Sequence, residues 1–217
     1  MNRLLKIVPG AAALALAAGA VPANASTIIN PGFETGDTTG WFSNGVAGAA
    51  ATSAGLGISA PVLLAQSGLY FGYAISGLQD EYITLTQSFT LAAGEILSGW
   101  VAFLGGDPDG GTFNDDGYLS ISFGRTIVDL FTSSIAETGT NGSTGWRAFS
   151  FTAPRAGTYT LEAGVENVGD DGFNSLIALD AGPANAIPEP KAWAMMILGF
   201  ATIGFAMRRR STRVSFA

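Results

Sequence analysis

The sequence predicts an all-β protein, a jelly-roll-like β-sandwich set between an N-terminal signal helix and a C-terminal hydrophobic helix. Three observations lead there. Short apolar or alternating runs recur between glycine-rich turns across the middle of the chain, the pattern of a sandwich of short strands. Helical periodicity is almost absent from that region. An apolar stretch with basic neighbours stands at each end of the 217 residues.

In chain order, Ser26–Ile29 reads as a short first strand. Pro31, Gly32, Gly36 and Gly40 then mark turns, with Phe33 and Trp41 as apolar plugs. Ser43–Ala60 is small and glycine-rich, enough for one weak strand and a loop. Val62–Leu64 and Leu69–Ile75 are apolar strand candidates. From Tyr82 the chain alternates. Tyr82, Thr84, Thr86 and Ser88 face one way, and Ile83, Leu85, Gln87 and Phe89 the other, with Gln87 out of character. Leu91–Gly94 is a turn and Glu95–Leu104 a largely buried strand. Gly105–Gly117 is a polar loop. Tyr118–Phe123 and Thr126–Phe131 form a hairpin about Gly124–Arg125. Ser133–Gly145 reads as polar linker. Trp146–Phe151 is a strand with Trp146, Ala148 and Ser150 on one face. After the turn at Pro154–Gly157, Tyr159, Leu161, Ala163 and Val165 alternate with polar or small neighbours. Asn167–Asn174 is an acidic loop, and Ser175–Asp180 the last strand.

The two ends are targeting segments and are set aside from fold reasoning. Residues 1–25 read as a signal peptide: Arg3 and Lys6, an apolar run from Ile7 to Val21, then the small residues Ala23 and Ala25 before Ser26. Residues 187–217 hold Pro188–Glu189–Pro190, an apolar run from Ala192 to Met207 broken only by Thr202, and Arg208, Arg209 and Arg210. Those sixteen residues rise about 24 Å as a helix, a little short of a hydrocarbon core of about 30 Å. Trp193 and the arginines suit the two interfaces, and the arginines favour the cytoplasmic side. Everything before Pro188 is then outside.

The C-terminal stretch resembles the PEP-CTERM sorting signal of Gram-negative bacteria. The residues that carry this are Pro188, Glu189 and Pro190, then Trp193, Ala194, Met195 and Met196, then Leu198, Gly199 and Phe200, and the arginine cluster Arg208–Arg210. The N-terminal signal predicts export by the general secretion machinery and signal peptidase, and the C-terminal resemblance implies recognition by exosortase. It also implies transient anchoring in the inner membrane, loss of the helix, delivery to the cell surface or extracellular matrix, and association with exopolysaccharide. Asn30, Gly32, Phe33, Glu34, Gly36, Gly40 and Trp41 resemble the opening of secreted jelly-roll domains of the galactose-binding or carbohydrate-binding type. In that superfamily Glu34 would lie near a structural calcium. Trp146, Phe149, Phe151, Ala153, Ala156, Gly157 and Tyr159 resemble a strand pair of secreted PEP-CTERM proteins.

Residues 26–186 form the expected β-sandwich domain, long enough to bury a substantial core. They carry ten Asp and six Glu against Arg125, Arg147 and Arg155, a net of −13, against −7 for the whole chain. That acidity argues against a nucleic-acid partner. Cys and His are both absent, which removes thiolate chemistry, His-bearing triads and the usual zinc ligands. Oxygen ligands remain. Asp107, Asp109, Asn114, Asp115 and Asp116 lie in one glycine-rich loop and can offer several to calcium; a solvent-facing turn reads equally from the same residues. Asp170 and Asp171 either approach that loop in a sandwich or are simple turn residues, and Glu34 with Asp180 forms a second candidate calcium pair near the domain's ends. Trp41, Tyr70, Tyr73, Trp100 and Trp146 are stacking candidates for sugars or packing residues. Three functions follow: a structural surface or matrix protein, a carbohydrate-binding module, or, with paired carboxylates, a glycoside-active enzyme. The first leads, and a non-enzyme is expected.

Overall fold

The structure, a computed structural model, describes residues 28–108 and 113–182. The expected signal peptide, the expected sorting signal with its apolar run, and Asp109 lie outside the described residues. Among the described residues no helix is long and apolar enough to cross a membrane.

Two five-stranded antiparallel sheets face each other. Sheet A has the order β1 (Phe42–Ser43), β4 (Ile83–Leu91), β9 (Gly157–Glu166), β6 (Asp116–Phe123), β7 (Thr126–Ser134). Sheet B has the order β2 (Ala47–Ala50), β3 (Phe71–Ile75), β10 (Leu176–Ala181), β5 (Ile96–Leu104), β8 (Arg147–Thr152). The fold class is therefore the expected β-sandwich, and the β6–β7 hairpin turns at Gly124–Arg125, with a register shift at Leu119/Ser120.

Alternation explains the main core. In β4, Ile83, Leu85, Gln87 and Phe89 are buried while Thr84, Thr86 and Ser88 face outward. In β9, Tyr159, Leu161, Ala163 and Val165 meet them from the next strand. Sheet B supplies Leu97, Val101, Phe103, Phe149, Ile177 and Leu179. The odd residue Gln87 is buried because its side chain completes the backbone of Ile29, accepting from its N–H at 2.6 Å and donating to its carbonyl at 2.9 Å.

Phe33 is a plug, as expected. It is fully buried and stacked on Trp41 at 5.1 Å between ring centroids. Its φ of 58° is left-handed, a conformation that costs a non-glycine residue about 1–3 kcal/mol. The ring repays that by filling the space over Gly72, where any Cβ would overlap it. The same loop closes on the last strand, the Ala181 N–H donating to the Pro31 carbonyl at 3.1 Å.

Sheet B carries a second, outer core. Phe71, Ile75, Ala102, Leu104, Leu176 and Ala178 pack under Leu63, with Leu56, Ile58 and Trp146 against them. The segment between β2 and β3 thus folds back over the outside of the sheet. Every residue of β10 is buried as a result.

Three expectations need correction. Ile28 and Ile29, the described part of Ser26–Ile29, are not strand, because the Ile29 backbone is satisfied by a side chain. Val62–Leu64 forms only a bridge from Leu64 to Thr52. The Ser133–Gly145 linker contains the end of β7 and a short helix, α1 (Ile135–Thr138), anchored by buried Ile135.

Candidate functional site

The described part of the acidic loop is divided by β6. Asp115 and Asp107 turn inward and are both buried. Asp115 accepts from the Val168 N–H at 3.0 Å and from the Ser175 hydroxyl at 2.6 Å, and shares a hydrogen bond with Asp107. Burial raises the Asp115 pKa above the ordinary carboxylate range against those bonds, and the charge of Asp170 adds to the rise. The 167–172 loop does approach the first, as its sequence suggested. Asn114 is exposed and accepts from the Ala136 N–H at 2.7 Å. Asp116 takes part in the outer face of sheet A. The structure thus brings together Asp107 and Asp115 but sends Asn114 and Asp116 elsewhere.

Glu34 and Asp180 do meet, on either side of Gly32. Their oxygens are taken by N–H and O–H donors. Asp180 accepts from the Gln66 and Ser67 N–H groups at 3.0 and 2.8 Å and from the Ser67 hydroxyl at 2.8 Å. Glu34 accepts from the Leu69 and Tyr70 N–H groups. This donor set suits a carboxylate clamp on residues 66–70 better than a cation cage. Burial raises the pKa of Asp180, and Glu34 adds to the rise. Among the described residues, no group of three or more His, Cys, Asp or Glu is arranged to hold a metal ion.

The aromatic candidates are packing residues in large part. Trp41 is buried. Tyr70 packs on the main core, and Tyr73 and Trp146 on the outer core of sheet B. The Trp146 indole N–H donates to the Leu64 carbonyl at 2.8 Å. Trp100 is half-buried.

The outer face of sheet A is the best-built polar surface. Tyr118 on β6 lies across Gly164 of β9, where any side chain would collide with its ring. Its hydroxyl thereby reaches Glu162 Oε1 at 2.6 Å, and Thr86 on β4 donates to Glu162 Oε2 at 3.3 Å. The Tyr82 ring stands edge-on to Tyr118 at 5.1 Å, its hydroxyl donating to Asp116 Oδ1 at 2.6 Å. Ser88 and Thr160 place hydroxyl oxygens 2.7 Å apart farther along. Desolvation, then the hydrogen bonds to the two carboxylates, push both tyrosine pKa values upward, so both phenols stay protonated donors. Burial, with Asp116, Asp80 and Asp115 nearby, raises that of Glu166. These tyrosines and Glu162 were not singled out in the sequence, although the polar parity from Tyr82 to Ser88 marked the face they occupy.

No protein-family model matches the chain, and no curated protein matches it. Several solved structures are similar. The carbohydrate-binding module TmCBM61, solved with β-1,4-galactotriose, is 19% identical with a TM-score of 0.47, covering 71% of this chain and 95% of that one. A family 16 carbohydrate-binding module is 14% identical with a TM-score of 0.42, covering 71% and 96%. The enzymatically active domain of bacteriophage CBA120 tailspike protein 4 is 8% identical with a TM-score of 0.39, covering 71% of this chain but 21% of its own. At such scores the likeness says nothing about a ligand.

Proposed function

We propose that this chain is an exported cell-surface or matrix protein whose sandwich holds polysaccharide on the outer face of sheet A. The observation that carries the binding is the network of Tyr82, Tyr118, Asp116, Glu162 and Thr86 on the outer face of sheet A. Its rings offer apolar surface with a polar edge. Its carboxylates are fixed acceptors for sugar hydroxyls. Export rests on residues 1–25, and processing by exosortase on Pro188–Glu189–Pro190 with the run to Arg210. No catalytic role is assigned.

A glycan array probed with the full chain tests the binding. Binding to an exopolysaccharide that falls at least tenfold in Tyr118→Ala supports it. Loss of biofilm cohesion in a deletion strain, with no measurable glycan binding, would favour the purely structural reading. That reading draws on the fact that these carboxylates are already bonded to the protein's own hydroxyls. Intact mass of the exported form, with and without exosortase, tests the processing: cleavage near Pro190 is expected, and an unchanged C terminus would contradict it.

A further inference from the structure

The sandwich has a seam where β7, at the edge of sheet A, touches β8, at the edge of sheet B. A cavity of about 420 Å³ opens there beside α1, within the about 300–1,000 Å³ span of small-molecule sites. Its wall holds Thr132, Ser133, Thr138, Ser143 and Thr144 together with Phe131, Glu137 and Arg147. We infer that this seam seats one neutral pyranose unit, at a site separate from the face of sheet A.

The hydrogen-bonding capacity of the wall is the first argument. Ser133 is 5% exposed and its Oγ has no hydrogen-bond partner. Leaving such a group unpaired is destabilising. Ser143 Oγ accepts from the Gly145 N–H at 3.0 Å and keeps its proton to donate. Thr138 Oγ1 donates to the Ser134 carbonyl at 3.2 Å and keeps its lone pairs. Thr144 is satisfied on both sides, by the Phe103 N–H and the Gly145 carbonyl. The spare capacity therefore includes donors and acceptors side by side, as a polyol requires.

Charge narrows the class. Arg147 would attract an anion, but Glu137 shares the wall and opposes it; a cation meets the reverse conflict. A neutral ring whose hydroxyls both donate and accept satisfies the two together. The Phe131 ring adds an apolar patch for the C–H side of such a ring. The volume is more than ten times the share of one water, about 30 Å³, so a single bridging water does not fill it. A second cavity of about 280 Å³, lined by Phe123, Val128, Phe151 and Arg155 among others, lies farther along the seam.

The test is calorimetric titration of the full-length chain in detergent with neutral gluco-, galacto- and xylo-oligosaccharides, and with a uronate oligomer. Arg147 is exposed and Ser133 Oγ has no bond to lose. Arg147→Ala and Ser133→Ala should therefore leave the thermal midpoint unchanged or, for Ser133→Ala, slightly higher. Each should weaken binding of a neutral oligosaccharide at least tenfold, and Tyr118→Ala should leave that component intact. Binding that ignores both seam variants overturns the assignment, as does exclusive binding of the uronate or no binding of any neutral oligosaccharide. Failure on the sheet A face would appear separately, as exopolysaccharide binding on the glycan array that Tyr118→Ala leaves unchanged.

Discussion

The two outer faces of this sandwich have opposite fates. Sheet B is roofed by the segment between β2 and β3, and its outward residues Phe71, Ile75, Ala102, Leu104, Leu176 and Ala178 form a core of their own. On the three central strands of sheet A the outward residues are mostly threonines, serines, tyrosines and carboxylates, with exposed Phe42 and Ile127 on the edge strands. The cause lies in strand composition. β10 is apolar at both parities until Asp180, so it needs cover on both sides. β4 and β9 are apolar at one parity only, so one side is enough. A side chain that contacts a partner is therefore to be sought on sheet A or at the sheet edges, and one that only stabilises the fold on sheet B.

Truncation measures this difference most directly. Leu176→Ala, under the roof of sheet B, should cost about 2–5 kcal/mol in denaturant unfolding. A cost below about 1 kcal/mol would mean that the roof is not packed down. Next in size is the clamp. Asp180→Ala removes the acceptor for Gln66 and Ser67 and should cost about 1–3 kcal/mol. Hydrogen exchange should quicken at the amides of residues 66 and 67 and stay unchanged in β6 and β9; uniform quickening would show that the roof and the sandwich open as one.

Acidity gives a smaller effect. Asp115, Glu166 and Asp180 all have folded pKa values above their ordinary ones. Between the unfolded and folded values the folded state binds more protons, so stability falls as pH rises through that window and is recovered on acidification. The thermal midpoint should climb as pH drops from 7 toward about 4.5, just above the ordinary carboxylate values. Asp180→Asn removes the share belonging to sheet B, and Glu166→Gln the share at sheet A. A midpoint that falls steadily over that range would refute the ordering. Smallest is Ser88→Ala on the open face, expected within about 0.5 kcal/mol of the parent.

The sheet A side was largely legible from the sequence. Tyr82 to Phe89 and Tyr159 to Val165 carry a period of two because each strand has one wet side. The roof was not. Leu56, Ile58 and Leu63 are spaced without period in a run of small residues, so only the folded chain shows that they share a core. β2, Ala47–Ala50, has no large side chain to announce it. The acidic loop was found, but its splitting was hidden, since neighbours on a strand face opposite sides and Asp115 and Asp116 part there. The seam was illegible for another reason. Its wall joins residues 131–133 to 143–147 across a stretch that reads as linker.

The bond from Ala181 to Pro31 sets where mechanical load would enter the molecule. It lies 3.1 Å long between the first loop and the last strand of the described fold. Tension applied across residues 31 and 181 would load this clasp together with the β10–β5 ladder, to which Ala181 belongs.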